Sequence, residues 1–331
     1  MRKTKTLKSI LEIINKEDNF LLITHKNPDG DAIGSILGLY YFLKEKGKKV
    51  YLYLPNGIPY IYQFLVFEEL QLFDESEKIN FNVAIFLDCG DIERIGENNG
   101  FLKNIPLVIN IDHHPTNTFF GNLNLINPKA SSVTEILTNL LYRYKEEISL
   151  KTAQCFLAGL ITDTGSFRFS NTNINSFKTA IKLLEKGADI SYISQQIYER
   201  KSLSSLYLLG RALLRLKIKD GIAVSFITRE DMEEFDSKIE DTEGIVDMLR
   251  MLKDTKVVVF LYPLSSSNTK ISLRSKSSYI NVGVFAKKFG GGGHREAAGF
   301  EKEGEPQDLV LSVVKELAEF ILEYEPLPVD K

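Results

Sequence analysis

Carboxylates and imidazoles follow short apolar segments of this chain. His25, Asp29 and Asp31 lie in the segment ITHKNPDGDAIGS, directly after the apolar run FLLIT. That run has the length and the branched residues of a buried strand, and helical spacing begins at Ile33. Because ligands of open α/β sheets bind beyond the carboxyl ends of the strands, these three side chains are candidate metal ligands.

The same arrangement recurs further along the chain. Asp88 follows the run FNVAIFL. Asp112, His113 and His114 follow the run LVINI, and Asp163 follows a predicted helix. A single aspartate in such a place is commonly a turn former or a helix cap. Five aspartates together would raise one another's pKa values unless a divalent cation lay among them. Mixed carboxylate and imidazole ligands suit Mn²⁺, with Mg²⁺, Co²⁺ or Fe²⁺ as alternatives, and their number suits two ions.

The elements that must position these residues alternate between strand and helix, which predicts an α/β fold. We expect a parallel sheet with helices on both faces in residues 1–187, a linker in 188–205 and a smaller α/β domain in 206–331, across a cleft. Ser132 and Glu135 have the spacing of a capping box at the start of a helix. Asp220-Gly221 has the composition of a hairpin turn in the second domain.

Composition narrows the class of protein. The 331 residues are 44% hydrophobic and 26% charged, and the formal net charge is −3, which argues against coating of long nucleic acid. We see neither a membrane-length apolar run nor the apolar centre of a signal peptide. Cys89 and Cys155 each lie in an apolar segment, which favours reduced core thiols. We therefore expect a cytoplasmic protein.

Four segments carry a resemblance to a known family. HKNPDGDAIGS, DCGD, IDHH and ITDTGSFRF, in this order, resemble the motifs of the DHH phosphoesterases. The resemblance implies two manganese sites with these ligands: for one ion His25, Asp29 and Asp88, and for the other Asp31, Asp88, His113 and Asp163. Asp88 would bridge the ions, His114 would face the scissile phosphate and Asp112 would orient the imidazoles, so the implied catalytic residues are His114, Asp88 and Asp112. Arg94 is either a phosphate contact or a structural arginine.

A second resemblance covers the end of the chain. KISLRS followed by FGGGGHREAAGF resembles the DHH-associated C-terminal domain, and alternation in the strand puts Ser272 and Arg274 on one face. The resemblance implies that these residues hold the nucleotide end of a substrate: Arg274, Gly291, Gly292, Gly293, His294 and Arg295.

A chain of these two domains resembles the nanoRNase group of the family. The resemblance implies hydrolysis of oligoribonucleotides of about two to five nucleotides to mononucleotides, and of 3'-phosphoadenosine 5'-phosphate (pAp) to AMP, by water that two metals activate. A cyclic-dinucleotide phosphodiesterase acting on c-di-AMP or pApA is one alternative. A non-catalytic nucleotide- or RNA-binding protein is another, because fold alone does not determine function. We expect neither a membrane nor long duplex nucleic acid as a partner. A monomer and a homodimer are both compatible with the sequence.

Overall fold

The computed structural model describes residues 2–96, 100–277, 279–293 and 295–324. The chain forms two compact units that divide between Arg200 and Lys201. The described strands of the first unit are β1 (Asn19–Ile23), β2 (Lys49–Tyr53), β3 (Val83–Leu87), β4 (Leu107–Asp112) and β5 (Leu123–Ile126). Its described α-helices are α1 (Arg2–Lys16), α2 (Gly30–Glu45), α3 (Val133–Arg143), α4 (Leu150–Asp163), α5 (Ile174–Glu185) and α6 (Ile190–Tyr198).

The strands of the first unit form a parallel sheet in the order β2-β1-β3-β4-β5. One face, which carries Leu22 and Ile85, packs against α-helices in a large buried core. The other face, which carries Phe86, packs against two short 3-10 helices, Ile92–Ile95 and Gly100–Asn104. Burial of both faces explains why β1 and β3 consist mainly of consecutive apolar residues.

Helices α2 and α4 pack closely against each other because glycines line their contact. A Cβ on Gly34 would lie 2.6 Å from the Cys155 carbonyl oxygen and 2.8 Å from the Gly159 nitrogen. A Cβ on Gly38 would meet the Phe156 ring at 2.3 Å. The helices therefore approach each other with backbone against backbone. This contact brings Asp31, in the first turn of α2, towards the end of α4.

The second unit is built on a mixed sheet in the order β10-β11-β9-β8-β7-β6. Its described strands are β6 (Lys217–Lys219), β7 (Ile222–Phe226), β8 (Val257–Pro263), β9 (Asn268–Ser275), β10 (Gly292–Gly293) and β11 (Ala297–Glu303). Its described α-helices are α7 (Leu203–Leu214), α8 (Arg229–Glu234), α9 (Ile245–Leu249), α10 (Val282–Lys287) and α11 (Pro306–Tyr324). Helices α10 and α11 pack on one face of the sheet, and α7 and α9 pack on the other.

The predicted fold class is confirmed, since a parallel α/β unit is followed by a smaller α/β unit. The hairpin turn at Asp220 and Gly221 is also confirmed, with φ values of 52° and 79° between β6 and β7. Strand β5 does not stand out in the sequence, because it has only four residues and Asn124 interrupts its three apolar ones. The capping box is half right: Ser132 caps α3 by accepting from the Glu135 nitrogen, but the Glu135 carboxylate bonds Ser131 instead. Among the described helices, none has both the length and the apolar composition needed to cross a bilayer.

Candidate metal centre

Three strand ends meet at one edge of the parallel sheet. The register pairs Ile23 with Phe86 and Leu87 with Ile111, so β1, β3 and β4 end nearly level. Strand β2, which follows β1 in the chain, pairs with one side of β1, and β3 pairs with the other side. This edge is therefore the topological switch point at which α/β sheets bind ligands. Asp88 follows β3 directly with a left-handed backbone, φ 60°, which turns the chain sharply out of the sheet.

The first group of ligands implied by the motifs lies together at this edge. His25, Asp29 and Asp88 each offer a ligand atom within 4.8 Å of the others, and His25 Nε2 lies 3.8 Å from Asp88 Oδ2. Asp29 also caps α2, because its Oδ1 accepts from the nitrogens of Asp31 and Ala32 at 3.1 and 3.0 Å. The start of α2 therefore orients this carboxylate.

The second group of ligands adjoins the first. Asp31, His113 and Asp163 also offer ligand atoms within 4.8 Å of one another. His113 Nε2 lies 3.5 Å from Asp163 Oδ2 and 3.6 Å from Asp88 Oδ1. Asp88 is thus in contact with both groups, as a bridging ligand would be. The structure brings together the six side chains that were predicted from the sequence as metal ligands: His25, Asp29, Asp31, Asp88, His113 and Asp163.

The charges of these side chains are strongly coupled. Burial and the neighbouring Asp88 raise the pKa of Asp31 to about 7, and burial raises the pKa of Asp163 well above its usual range. Burial opposes ionisation of Asp88 too, but adjacent imidazoles hold its pKa well below its usual range. Burial acts to lower the pKa of His113, yet Asp163 and Asp88 raise it to about 9. The site therefore holds protons at neutral pH that a cation would replace.

Three buried polar atoms of the site lack a hydrogen-bond partner among the described residues. They are His25 Nε2, Asp88 Oδ1 and Asp163 Oδ2. Buried polar atoms are normally hydrogen-bonded, so unsatisfied ones need an explanation such as an ion. These atoms come from both ligand groups, and a mixed nitrogen and oxygen set suits a divalent ion such as Mn²⁺. The residues present thus fit two divalent cations.

His114 belongs to a separate hydrogen-bonded chain beside the ligands. Its Nδ1 donates to Asp112 Oδ1 at 2.7 Å, and Asp112 Oδ2 accepts from Asn117 Nδ2 at 2.6 Å. Its Nε2 lies 3.5 Å from Arg94 Nη1. His114 Nδ1 is also 3.5 Å from Asp88 Oδ1, but a nitrogen that donates its proton to Asp112 has no lone pair for a metal. Asn117 was missed from the sequence, since an asparagine three residues after the histidine pair matches no motif.

In the second unit, Arg274 forms an ion pair. Alternation along β9 leaves Ser272 and Arg274 half-exposed on one face, as predicted. The guanidinium contacts Asp247 through Nε at 2.7 Å and Nη2 at 3.2 Å. Asp247, in α9, was also missed, because it lies 27 residues before Arg274. The two charges partly neutralise each other in the absence of a substrate.

The glycines of the glycine-rich loop differ in what surrounds them. A Cβ on Gly291 would lie 2.3 Å from the Gly299 carbonyl oxygen, and one on Gly293 would lie 2.5 Å from the Ala297 carbonyl oxygen. These two glycines allow the loop to pair with β11. A Cβ on Gly292 would meet nothing within 4 Å. Arg295 is exposed, and His294 lies outside the described residues.

Comparisons with known proteins identify relatives for both units of the chain. The profile of the DHH family, N-terminal domain, matches residues 19–160, and that of the DHHA1 domain matches residues 210–322. The bifunctional oligoribonuclease and PAP phosphatase NrnA of Thermus thermophilus is 31% identical over 95% of this chain and 94% of its own. The protein of the same name from Bacillus subtilis is 28% identical over 88% and 91%.

A solved structure extends the likeness to the whole fold. The exopolyphosphatase-related protein from Bacteroides fragilis is 30% identical, covers 96% of both chains and superposes with a TM-score of 0.89. The first profile begins at β1 and includes five of the six candidate ligands, while Asp163 lies beyond its end at residue 160. The second profile begins in α7, at residue 210. The chain belongs to the DHH phosphoesterase family, with a DHHA1 domain as its second unit.

Proposed function

We propose that this protein is a manganese-dependent phosphoesterase that hydrolyses short oligoribonucleotides to mononucleotides and pAp to AMP. The observation that carries the proposal is the contact of Asp88 with two adjacent ligand groups at one sheet edge. Two divalent cations, when bound, supply Lewis-acid stabilisation of phosphoryl charge and make water nucleophilic at neutral pH. In this proposal His25, Asp29 and Asp88 hold one cation. Its neighbour is held by Asp31, Asp88, His113 and Asp163.

The other side chains of the site have separate roles. The carboxylate of Asp112 accepts a hydrogen bond from His114 Nδ1, so the other ring nitrogen, Nε2, faces away from Asp112. Burial opposes protonation of His114, but the hydrogen bond to Asp112 raises its pKa. A protonated imidazole beside Arg94 can donate to a phosphoryl oxygen as negative charge develops. We therefore propose that His114 and Arg94 stabilise the transferring phosphate.

The nucleotide end of the substrate is assigned to the second unit. We propose that Arg274, with its planar set of donors, binds a phosphate or a base edge. The backbone N–H groups of the glycine loop can approach an anion at Gly292, where no side chain intervenes. The oligoribonuclease and PAP phosphatase activities in the names of the NrnA relatives support an oligonucleotide and pAp as substrates.

The experiment that tests the proposal is a substrate panel. Purified protein with Mn²⁺ is offered pApA, a five-nucleotide RNA, pAp, c-di-AMP and pyrophosphate, and the products are separated by chromatography. We expect turnover of the first three. Fastest turnover of c-di-AMP would favour the cyclic-dinucleotide alternative, pyrophosphate as sole substrate would contradict the proposal, and binding without turnover would favour the non-catalytic alternative.

A matched pair of variants ties the activity to the site. Asp88→Asn keeps the side-chain shape, and asparagine tolerates the left-handed backbone at this position, so the fold should survive while turnover is lost. Asp189→Asn serves as the control, because Asp189 caps α6 through a side-chain oxygen that asparagine also provides. Equal turnover by the two variants would remove Asp88 from the mechanism.

A further inference from the structure

One short segment contacts two side chains of the second ligand group directly, Asp31 and His113. Residues 130–134, which precede and begin α3, are named here the 130–134 segment. Its Val133 and Thr134 nitrogens donate to the Asp31 carboxylate at 2.5 and 3.1 Å. Its Ala130 carbonyl oxygen lies 3.3 Å from His113 Nδ1. Since a carbonyl only accepts, Nδ1 carries a proton, and Nε2 is the nitrogen that faces Asp88 and Asp163 and can bind a cation once it is deprotonated.

The third ligand residue, Asp163, is linked to the same segment through its backbone carbonyl and Asn171. The Asn171 Nδ2 group donates to the carbonyl oxygens of Ser131 and Asp163, both at 3.0 Å. Asp163 is the last residue of α4, so this bridge fixes the end of that helix against the segment. A displacement of the segment would therefore disturb Asp31, His113 and Asp163 together. The first ligand group has a different support, because Asp29 caps its own helix.

A buried carboxylate holds the segment. Glu135 is only 3% exposed, and its Oε2 accepts from the Ser131 nitrogen at 3.1 Å and the Ser131 hydroxyl at 2.7 Å. The Ser176 hydroxyl, from α5, donates to Ser131 Oγ at 2.8 Å and lies 3.5 Å from Glu135 Oε2. Burial of a carboxylate is costly unless donors surround it. This carboxylate fixes backbone that in turn fixes metal ligands.

We propose that Glu135 is a positioning residue for one of the two cation positions, the one formed by Asp31, His113 and Asp163. The inference rests on the proposed function, since it assumes that both ligand groups bind a cation. Glu135 bonds the loop that orients these ligands and does not belong to either ligand group. Changes at residues that support metal ligands typically lower affinity by about 10- to 100-fold. The effect should be confined to one position.

The test is a Mn²⁺ titration that needs no activity measurement. Metal-free protein is titrated with Mn²⁺, and free ion is followed by its electron paramagnetic resonance signal. We expect Glu135→Ala to weaken one of two positions by about 10- to 100-fold and to leave the other within about twofold. Glu135→Gln keeps an oxygen that can accept from the Ser131 nitrogen, so it should restore most of the affinity. Ser176→Ala gives a milder second variant should Glu135→Ala fail to fold.

Double variants assign the affected position. Glu135→Ala combined with Asp163→Ala should be no worse than Asp163→Ala alone, because both changes act on one position. Combined with His25→Ala, the same change should remove the remaining tight binding. Gln154→Ala is the matched control: Gln154 is buried in the same unit and accepts from the Asp189 nitrogen, so its loss should lower the melting temperature without changing Mn²⁺ affinity.

The outcomes separate this inference from the proposed function. Wild-type protein that binds no Mn²⁺ would overturn the proposed function and the role of Glu135 with it. Two wild-type positions that Glu135→Ala leaves unchanged, or weakens equally, would overturn the role of Glu135 alone.

Discussion

One oxygen of Asp112 accepts a hydrogen bond from His114 Nδ1 at 2.7 Å, and the other accepts one from Asn117 Nδ2. Asp112 is fully buried, and although burial opposes ionisation, the hydrogen bond from His114 holds the pKa of Asp112 below its usual value. The Nδ1–H group of His114 therefore has a defined partner, and the imidazole has a defined orientation. Under the proposed function, a substrate would contact His114 but not the aspartate that orients it.

Asp112→Asn should lower kcat strongly with little change in KM. The amide nitrogen of asparagine would oppose a donor, either His114 or Asn117, so the imidazole loses both its defined orientation and the carboxylate that favours its protonated form. We expect a decrease in kcat of about a hundredfold or more, measured by steady-state hydrolysis of pApA. Asp91→Asn is the control, since the carboxylate of Asp91 caps a 3-10 helix by accepting from the Glu93 nitrogen. Unchanged kcat in Asp112→Asn would mean that His114 acts independently of this bond.

Mn²⁺ binding should release protons at neutral pH. Without a cation, His113 has a pKa of about 9 and Asp31 one of about 7, so both groups carry protons below these values. Ligands bind metal in the deprotonated form, so the affinity for Mn²⁺ should rise as the pH increases from 6 to 9. Calorimetric titration in two buffers of different ionisation enthalpy measures the release. Identical apparent enthalpies in the two buffers would show that no proton leaves.

Gly34→Ala should destabilise the first unit. The added Cβ would lie 2.6 Å from the Cys155 carbonyl oxygen, and overpacking of this kind typically costs about 1–3 kcal/mol. Thermal unfolding should show a lower melting temperature, and Mn²⁺ binding should weaken because α2 carries Asp31. Gly210→Ala is the matched control in α7, where a Cβ meets nothing within 4 Å and alanine should stabilise the helix by about 0.5–1 kcal/mol. Equal melting temperatures would show that α2 and α4 can separate without cost.

Gly292→Ala should weaken substrate binding without affecting the fold. Its Cβ has open space in the protein alone, whereas a Cβ on Gly291 would lie 2.3 Å from the Gly299 carbonyl oxygen. We expect Gly292→Ala to raise KM for a short RNA several-fold at an unchanged melting temperature, and Gly291→Ala to lower the melting temperature. If KM is the same as in wild type, the loop does not contact the substrate at Gly292.

The ligand set could be predicted because each member follows an apolar segment. Strands β1, β3 and β4 are mostly buried, so their sequences are rich in apolar residues, and the polar residue at each end stands out. Parallel strands then bring these ends to one edge regardless of loop detail. Their coordinating roles remain a proposal, but their proximity followed from local sequence and sheet geometry.

The supporting contacts could not be predicted in the same way. Glu135 had the spacing of a capping box, yet its carboxylate bonds Ser131, because the 130–134 segment turns that serine towards it. Asp247 reaches Arg274 from a helix distant in sequence. Such pairings depend on how elements pack, and neither charge nor periodicity along the chain specifies them.

The glycine contact between α2 and α4 restricts how this protein can adapt to higher temperature. Stability is often gained by adding apolar volume to a core, but backbone atoms already fill the space at Gly34 and an aromatic ring fills it at Gly38. Larger side chains there would move Asp31 away from Asp163. Thermal adaptation of relatives with the same contact should therefore be found in surface ion pairs and loops, where sequence change leaves the distance between these carboxylates intact.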